Sequence, residues 1–378
     1  MVWRIGTGWR VSVLFLVALW ILGAGVLLHP PEGLAQRAER VAAASPGGAL
    51  AAESLNRIVE GAKREGVVDA ALQASLTPRG VAAVQEAIRK KYGFDLRINY
   101  SPTTNYPAIQ AKALTEHSAG TPPSFDLITG ADSHIFDLSE AKAVERVEWG
   151  PLLDPGTPPE IVVFGGTGLV VNTSFTGLLY NPKVVRPEEV PRSLKDLANP
   201  KWRGKILIPP YTSTWMSQFL SQGRQPSVAL VNAILNNGAV VDQWPTATNR
   251  FTMGEYPLVA LITETFAHQV KSRGLPVGFR PLDAPYMSQH IIAVRTHARH
   301  PNAAKLLAAF LAGPDSVKIW QEIASNPNFY YPAKSSFDLG AEWQGIRPWL
   351  WTQERLRYKS TPEVQAWEEE IGRLLTRK

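Results

Sequence analysis

The sequence predicts an α/β protein of two lobes, each a mostly parallel or mixed sheet flanked by helices, and three observations carry that expectation. Strand-like and helix-like periodicities alternate from residue 67 onward. A Pro- and Gly-rich break at 151–159 separates one such series from a second. With 378 residues, 45% hydrophobic and 19% charged, the chain is long enough to divide into two cores and has ordinary globular chemistry.

Taken in order, residues 67–72 read as a buried strand and 80–92 as a helix with Val81, Val84, Ile88 and Tyr92 on one face. Leu96, Ile98 and Tyr100 alternate like a strand, Ser101-Pro102-Thr103-Thr104-Asn105 forms a turn and cap, and 106–116 is a helix. A third strand at 125–129 runs through Gly130-Ala131-Asp132-Ser133 into a helix reaching Lys142. Three such units imply a largely parallel sheet with right-handed crossovers. After the break come strands at 169–173, 205–208 and 258–262, with 216–220 inside a helix. A strand at 291–294 and a helix opening at Pro301 follow, and an amphipathic helix carrying Val364, Trp367, Ile371, Leu374 and Leu375 ends the chain.

The first 35 residues follow a different logic. Arg4 and Arg10 flank the apolar run 11–28, Pro30 and Pro31 break it, and Gly33-Leu34-Ala35 supplies a small-x-small cleavage signal, so export through a signal peptide ending at Ala35 is expected. An uncleaved anchor is the competing reading, since the run is close to the minimum for a bilayer span. Residues 36–52, with Ala42-Ala43-Ala44-Ser45-Pro46-Gly47-Gly48, read as a flexible linker.

Composition removes several function classes. A net charge of +6 with no basic run is a poor footprint for nucleic acid. The absence of cysteine excludes disulfides, thiolate metal sites, cysteine nucleophiles and a lipidated cysteine. His297-x-x-His300 has a metal-like spacing, but Pro301 places His300 ahead of a helix rather than on its face, which favours a structural role. Ser139-x-x-Lys142 lacks the further elements of a serine acyl-enzyme, and Gly165-Gly166-Thr167-Gly168 precedes a strand, the wrong order for a phosphate cradle.

Gly66-Val67-Val68, Asp137-Leu138-Ser139-Glu140-Ala141, Arg299-His300-Pro301-Asn302-Ala303-Ala304 and above all Pro191-x-Ser193-x-x-Asp196-Leu197-x-Asn199-Pro200-Lys201-Trp202-Arg203-Gly204-Lys205-Ile206 resemble the periplasmic solute-binding proteins of ABC importers, in their ferric-iron-binding-protein-like branch. The likeness covers roughly residues 53–335. It implies a two-lobed periplasmic-binding-protein architecture with crossing hinge strands, closing on a small-molecule ligand and docking on an ABC permease in the inner membrane. The expected division is 53–165 plus 284–328 for lobe 1 and 166–283 plus 329–378 for lobe 2, with hinges at 165–168 and 282–285. The expected protein is a periplasmic monomer without catalysis or cofactor.

Ligands of open α/β sheets sit outside the carboxyl ends of the strands. That rule selects Ser75, Thr103, Thr104, Asn105, Asp132 and Ser133 in the first lobe, and Tyr211, Thr212, Ser213, Thr214, Trp215 and Glu264 in the second. Hydroxyl-rich helix starts at 103–105 and 212–214 favour an anionic group, although Ser, Thr and Asn cap helices whether or not anything binds. Tyr211 and Trp215 are candidate walls. Glu264 would bind an amine if it faced the cleft. The iron ligands that the resemblance implies are missing: alignment puts Gly130 at the carboxylate position and Thr263-Glu264-Thr265-Phe266 across the tyrosine pair. The tandem Tyr330-Tyr331 fits hinge or packing use, so no metal is expected. A secreted hydrolase using Ser75, Asp132 and His134, or a membrane-tethered sensory module, are the alternatives.

Overall fold

The computed structural model describes residues 46–283, 285–331, 343 and 346–376. The expected signal peptide lies outside the described residues. Residues 49–378 form one compact unit.

The chain enters through α1 (Pro46–Glu65), so the stretch read as linker is helical from Pro46. Its apolar residues Leu55, Ile58 and Val59 pack on the core. The first lobe then follows as β1 (Val67–Gln73), α2 (Thr77–Tyr92), β2 (Arg97–Thr103), α3 (Tyr106–Ser118), β3 (Leu127–Ala131) and α4 (Asp132–Glu140). β1 pairs in parallel with β2 and β3, as the three βα units require. Gly130 and Ala131, expected in the loop between strand and helix, are the last residues of β3.

The second series is β4 (Val162–Val163), β5 (Gly168–Tyr180), β6 (Ile206–Ile208), α5 (Thr212–Phe219), α6 (Arg224–Asn236), β7 (Val240–Val241), α7 (Trp244–Thr252), β8 (Leu258–Thr263), α8 (Glu264–Ser272), β9 (Gly278–Arg280) and β10 (Met287–Val294). After these come α9 (Pro301–Ala312), α10 (Val317–Glu322), α11 (Gln353–Lys359) and α12 (Pro362–Thr376). The strands run in the order β2-β1-β3-β10-β5-β8-β6-β7, with β4 and β9 also on β5.

β5 decides the architecture. Leu169 through Phe175 pair antiparallel with β10 in the first sheet, and Thr176 through Tyr180 pair antiparallel with β8 in the second. One strand therefore belongs to both sheets. The crossing falls near Phe175 and Thr176, not at 165–168, because Gly168 to Ser174 are still held in the first sheet. β10, whose partners β3 and β5 lie in the first sheet, follows β9 of the second sheet in the chain.

Burial follows the pattern. α9 is enclosed along its length, from Ala303 and Ala304 through Ala312, and packs on β1, β5 and β10. The chain end joins both lobes: α12 packs on α5 and α6, while α11 reaches α4, where Arg357 pairs with Glu140 at 2.9 Å. Among the described residues no helix is long and apolar enough to cross a membrane.

Candidate functional site

Strand register alone locates the cleft. β3 ends at Ala131, which pairs with His290, and His290 in turn pairs with Asn172 of β5. β8 ends at Thr263, which pairs with Thr176 of β5, and β6 runs parallel to β8. The carboxyl ends of the parallel strands of both sheets thus point at one another across β5. Asn172 and Thr176 are four residues apart, or ~13 Å at the rise of a strand. This is the place where open α/β sheets bind.

Two bulges mark the same region. The pairing of β10 with β5 shifts between His290 and Ile291, and that of β5 with β8 shifts between Gly177 and Leu179. Leu261 of β8 takes φ 52 opposite this second shift, a conformation costly for a branched side chain and held only by its surroundings. Bulges re-aim side chains next to sites, and here they act on His290 and on the approach to Glu264.

On the first edge a polar cluster fills the ends of β1, β3, β10 and β5. Gln73, which closes β1, contacts His290 Nδ1 through its Nε2 and accepts from Asn172 Nδ2 at 2.6 Å. The Tyr106 ring stands edge-on to both His134 and His290, with centroids 5.8 Å apart in each case. Burial holds His290 down to about 4 and also lowers His134, so both imidazoles are neutral at physiological pH. Tyr106 is pushed up to about 12 by burial. Behind them, Gln289 donates to the Tyr330 hydroxyl at 2.5 Å.

Asp132 opens α4 and is 1% exposed. Its Oδ2 accepts the Gln289 N–H at 3.2 Å, the Tyr286 phenol faces the same carboxyl, and Oδ1 has no hydrogen-bond partner. Desolvation raises it to about 7. Glu264 occupies the corresponding place on the second edge. It opens α8, is 1% exposed, and sits against Ser174 and the Phe175 N–H of β5. Its Oε1 is 3.4 Å from the Thr265 hydroxyl, its Oε2 has no partner, and burial raises it to about 8. Each helix lacks a side-chain N-cap bond, and the carboxyl of its own first residue stands in that first turn.

The remaining expected residues divide. Ser75 is exposed, and its hydroxyl accepts from Asn326 at 2.8 Å. Thr103 is buried and accepts from the Asn105 N–H at 3.1 Å. Asn105 caps α3 by accepting from Ala108 N at 3.1 Å. Thr104 and Ser213 are exposed, and Ser133 is half-buried. Thr212 donates to Glu368 of α12 at 2.8 Å, and Thr214 is buried. Trp215, expected as a wall, is wholly buried, with its indole donating to Pro209 O at 2.9 Å and its ring on Phe219. α5 buries every residue from Thr214 to Phe219, which turns Trp215 into the core. The partly exposed aromatic pair on this edge is Tyr211 on Trp244, with centroids 4.6 Å apart, backed by Phe266 at 6.0 Å from Trp244. Tyr211 and Trp244 are partly exposed.

Sequence reading missed Gln73, Tyr106, Asn172, Trp244, His290 and Gln289 as members of this site. The available signal was a polar residue at the border of an apolar run, as at Gln73 after 67–72 and at His290 before 291–294.

Other candidates resolve as structure. Ligating atoms of Asp69, Asp126 and His300 lie within 4.8 Å of one another, but Asp126 already accepts from Asp69 N, Arg299 N, His300 N and His300 Nδ1 at 2.7 to 3.1 Å. His300 is thus held in a backbone clasp. A recess of about 460 Å³ at the second crossing is lined by Arg192, Arg280, Asp283 and Arg347, with Arg280 directed at Val190 O at 3.4 Å.

Residues 83–346 match the family model described as bacterial extracellular solute-binding protein. No curated protein matches the chain in sequence. Similar solved structures include iron-bound HitA from Pseudomonas aeruginosa, 18% identical with a TM-score of 0.62 over 81% of this chain and 98% of that one. The substrate-binding protein of an ABC transporter from Agrobacterium tumefaciens is 16% identical, with a TM-score of 0.64 over 82% and 93%. The Trichodesmium protein IdiA (FutA) in complex with iron and citrate is 15% identical, with a TM-score of 0.63 over 82% and 99%. They share the two-lobed fold.

Proposed function

This chain belongs to the bacterial extracellular solute-binding proteins, and from that membership we propose that it captures a small solute between its lobes and delivers it, unaltered, to an ABC permease in the inner membrane. The carrying observation is the register: both carboxyl edges meet across one strand, β5, that belongs to both sheets. A solute touching Gln73, Tyr106, His134 or His290 on one side and Tyr211 or Trp244 on the other gains its full set of contacts only when the lobes are together. Binding then shifts the population toward the closed form. Export through the leader ending at Ala35, and action as a monomer, complete the reading.

The cleft chemistry argues against ferric iron as cargo. A Cβ at Gly130 would stand 2.9 Å from His134 Cβ, so the position offers no space for a carboxylate ligand. The Tyr331 hydroxyl is committed to Ala312 O at 2.7 Å. The hydrolase alternative lacks a connected nucleophile and base: Ser75 is tied to Asn326, and Asp132 is directed at Gln289. Native mass spectrometry of protein purified from its own cells tests the proposal. A retained small molecule of constant mass supports capture, and steady conversion of an added retained molecule would contradict it.

A further inference from the structure

The cleft carries a bias of charge that deepens this reading and rests on it. Four helices begin at the facing edges, and a side-chain amide or carboxyl oxygen stands at or beside each N-terminus. Asn105 caps α3, Asp132 and Glu264 place carboxyls in the first turns of α4 and α8, and beside α5 Thr212 is bonded to the Glu368 carboxylate. An anion needs free N–H groups and the positive end of the helix dipole. Here a carboxyl group stands at or beside three of the four.

Two carboxyl oxygens at these edges have no hydrogen-bond partner, Asp132 Oδ1 and Glu264 Oε2. The two carboxyls are each 1% exposed. A buried carboxyl with an oxygen left over is at ease only when protonated or when matched by a cation. On the Glu264 edge the Tyr211 and Trp244 rings are partly exposed, and an aromatic face attracts a desolvated positive charge. Among the described residues, the groups that act on them include no unpaired cation. His134 and His290 are neutral, the charges acting on His134 are Asp137 and Lys359, and the Lys359 ammonium is paired with Glu368 at 2.7 Å. Tyr286 faces Asp132, and Ser174 with Thr265 faces Glu264.

We propose that the solute is an organic cation, an amine or quaternary ammonium compound, whose charge lies between the carboxyls of Asp132 and Glu264 against the rings of Tyr211 and Trp244. As it enters, the carboxyl protons leave to solvent and the charged pairs form in their place.

The test uses the full mature chain and three matched probe series: the ammonium compounds tetramethylammonium, choline and butylamine, their uncharged carbon or alcohol isosteres, and the corresponding carboxylates. The expected result is a rise in Tm with at least one ammonium compound and none with its isosteres. Titration calorimetry in buffers of different ionisation enthalpy should show protons released at pH 7, and affinity should rise at least tenfold between pH 6 and 8. Glu264→Gln and Asp132→Asn should each weaken the cation at least tenfold and flatten that pH dependence, which a merely structural role would not do. If the carboxylates or neutral isosteres raise Tm and the ammonium compounds do not, the charge assignment falls while capture stands. If no compound in any series moves Tm, both fall.

Discussion

Asp132 and Glu264 make the folded protein sensitive to pH in a direction that can be worked out. Unfolded, both titrate near 4; folded, they hold their protons to about 7 and about 8. Between those limits the native state binds more protons than the unfolded one, so their contribution to stability is complete below pH 4 and is lost as pH rises through 7 and 8. His290 runs the other way. Its pKa falls from 6.5 to about 4, so the native state gains stability as pH climbs from 4 to 6.5. Above 6.5 the carboxyl slope remains, and thermal unfolding should show Tm falling from pH 6.5 to 8.5. The Glu264→Gln variant should be flatter and more stable at pH 8.5 by on the order of 2 kcal/mol; an unchanged slope would contradict the burial of Glu264. At this scale the sequence was partly legible. The position of Glu264 after an apolar strand put it at the cleft edge, but nothing in the chain separates Trp215 from Trp244. Which indole turns to the core depends on how deeply α5 is buried, a tertiary property.

Among the elements, β10 is fastened at its far end by Arg295, 2% exposed in its side chain, which pairs with Glu116 of α3 at 3.1 Å and donates to the carbonyls of Ala143 and Ala113 at 3.1 and 2.9 Å. Removing one partner of a buried pair strands the other, so Arg295→Ala should lose ~3 kcal/mol in denaturant unfolding. Asp126→Ala, which leaves the N–H groups of Asp69, Arg299 and His300 without their acceptor, should lose about 2 kcal/mol or more. A loss under 0.5 kcal/mol in either variant would show that the segment after β10 is held by other contacts. Elements with a single core were legible: β1, α2 and α3 lie where periodicity puts them and α9 begins at Pro301, while β2 runs on through Ser101 to Thr103, residues expected in a turn, because they pair with the end of β1. β5 was not read at full length, since Asn172, Thr173 and Ser174 interrupt its apolar run and resemble a strand end. They are the polar stretch over which the strand leaves one core and enters the other. α6, α7 and α8 were missed for a similar reason, their faces being mixed in polarity and completed only by packing.

At the scale of the molecule, two sheets share β5, the chain passes from β9 of the second sheet into β10 of the first, and the C-terminal helices tie to both sides. Arg357 of α11 reaches Glu140 of α4, while Glu368 and Glu370 of α12 hold Thr212 and Arg224. Charge-neutral replacement of Arg357 should therefore leave folding intact and shift the balance between open and closed forms. That shift would appear as changed solute affinity with Tm of the solute-free protein within about 1 °C, the expectation for an exposed pair worth under ~1 kcal/mol. A captured solute present at a hundred times its Kd should stabilise the chain by about 2.7 kcal/mol. Because the sequence contains no cysteine, Ala111→Cys on α3 and Asn249→Cys on α7 place two spin labels uniquely, one on each lobe and both at exposed positions. The distance between them, measured by pulsed electron resonance with and without the compound that raises Tm most, should become shorter and narrower when the compound is added. A distribution unchanged by a compound that demonstrably binds would contradict capture between moving lobes.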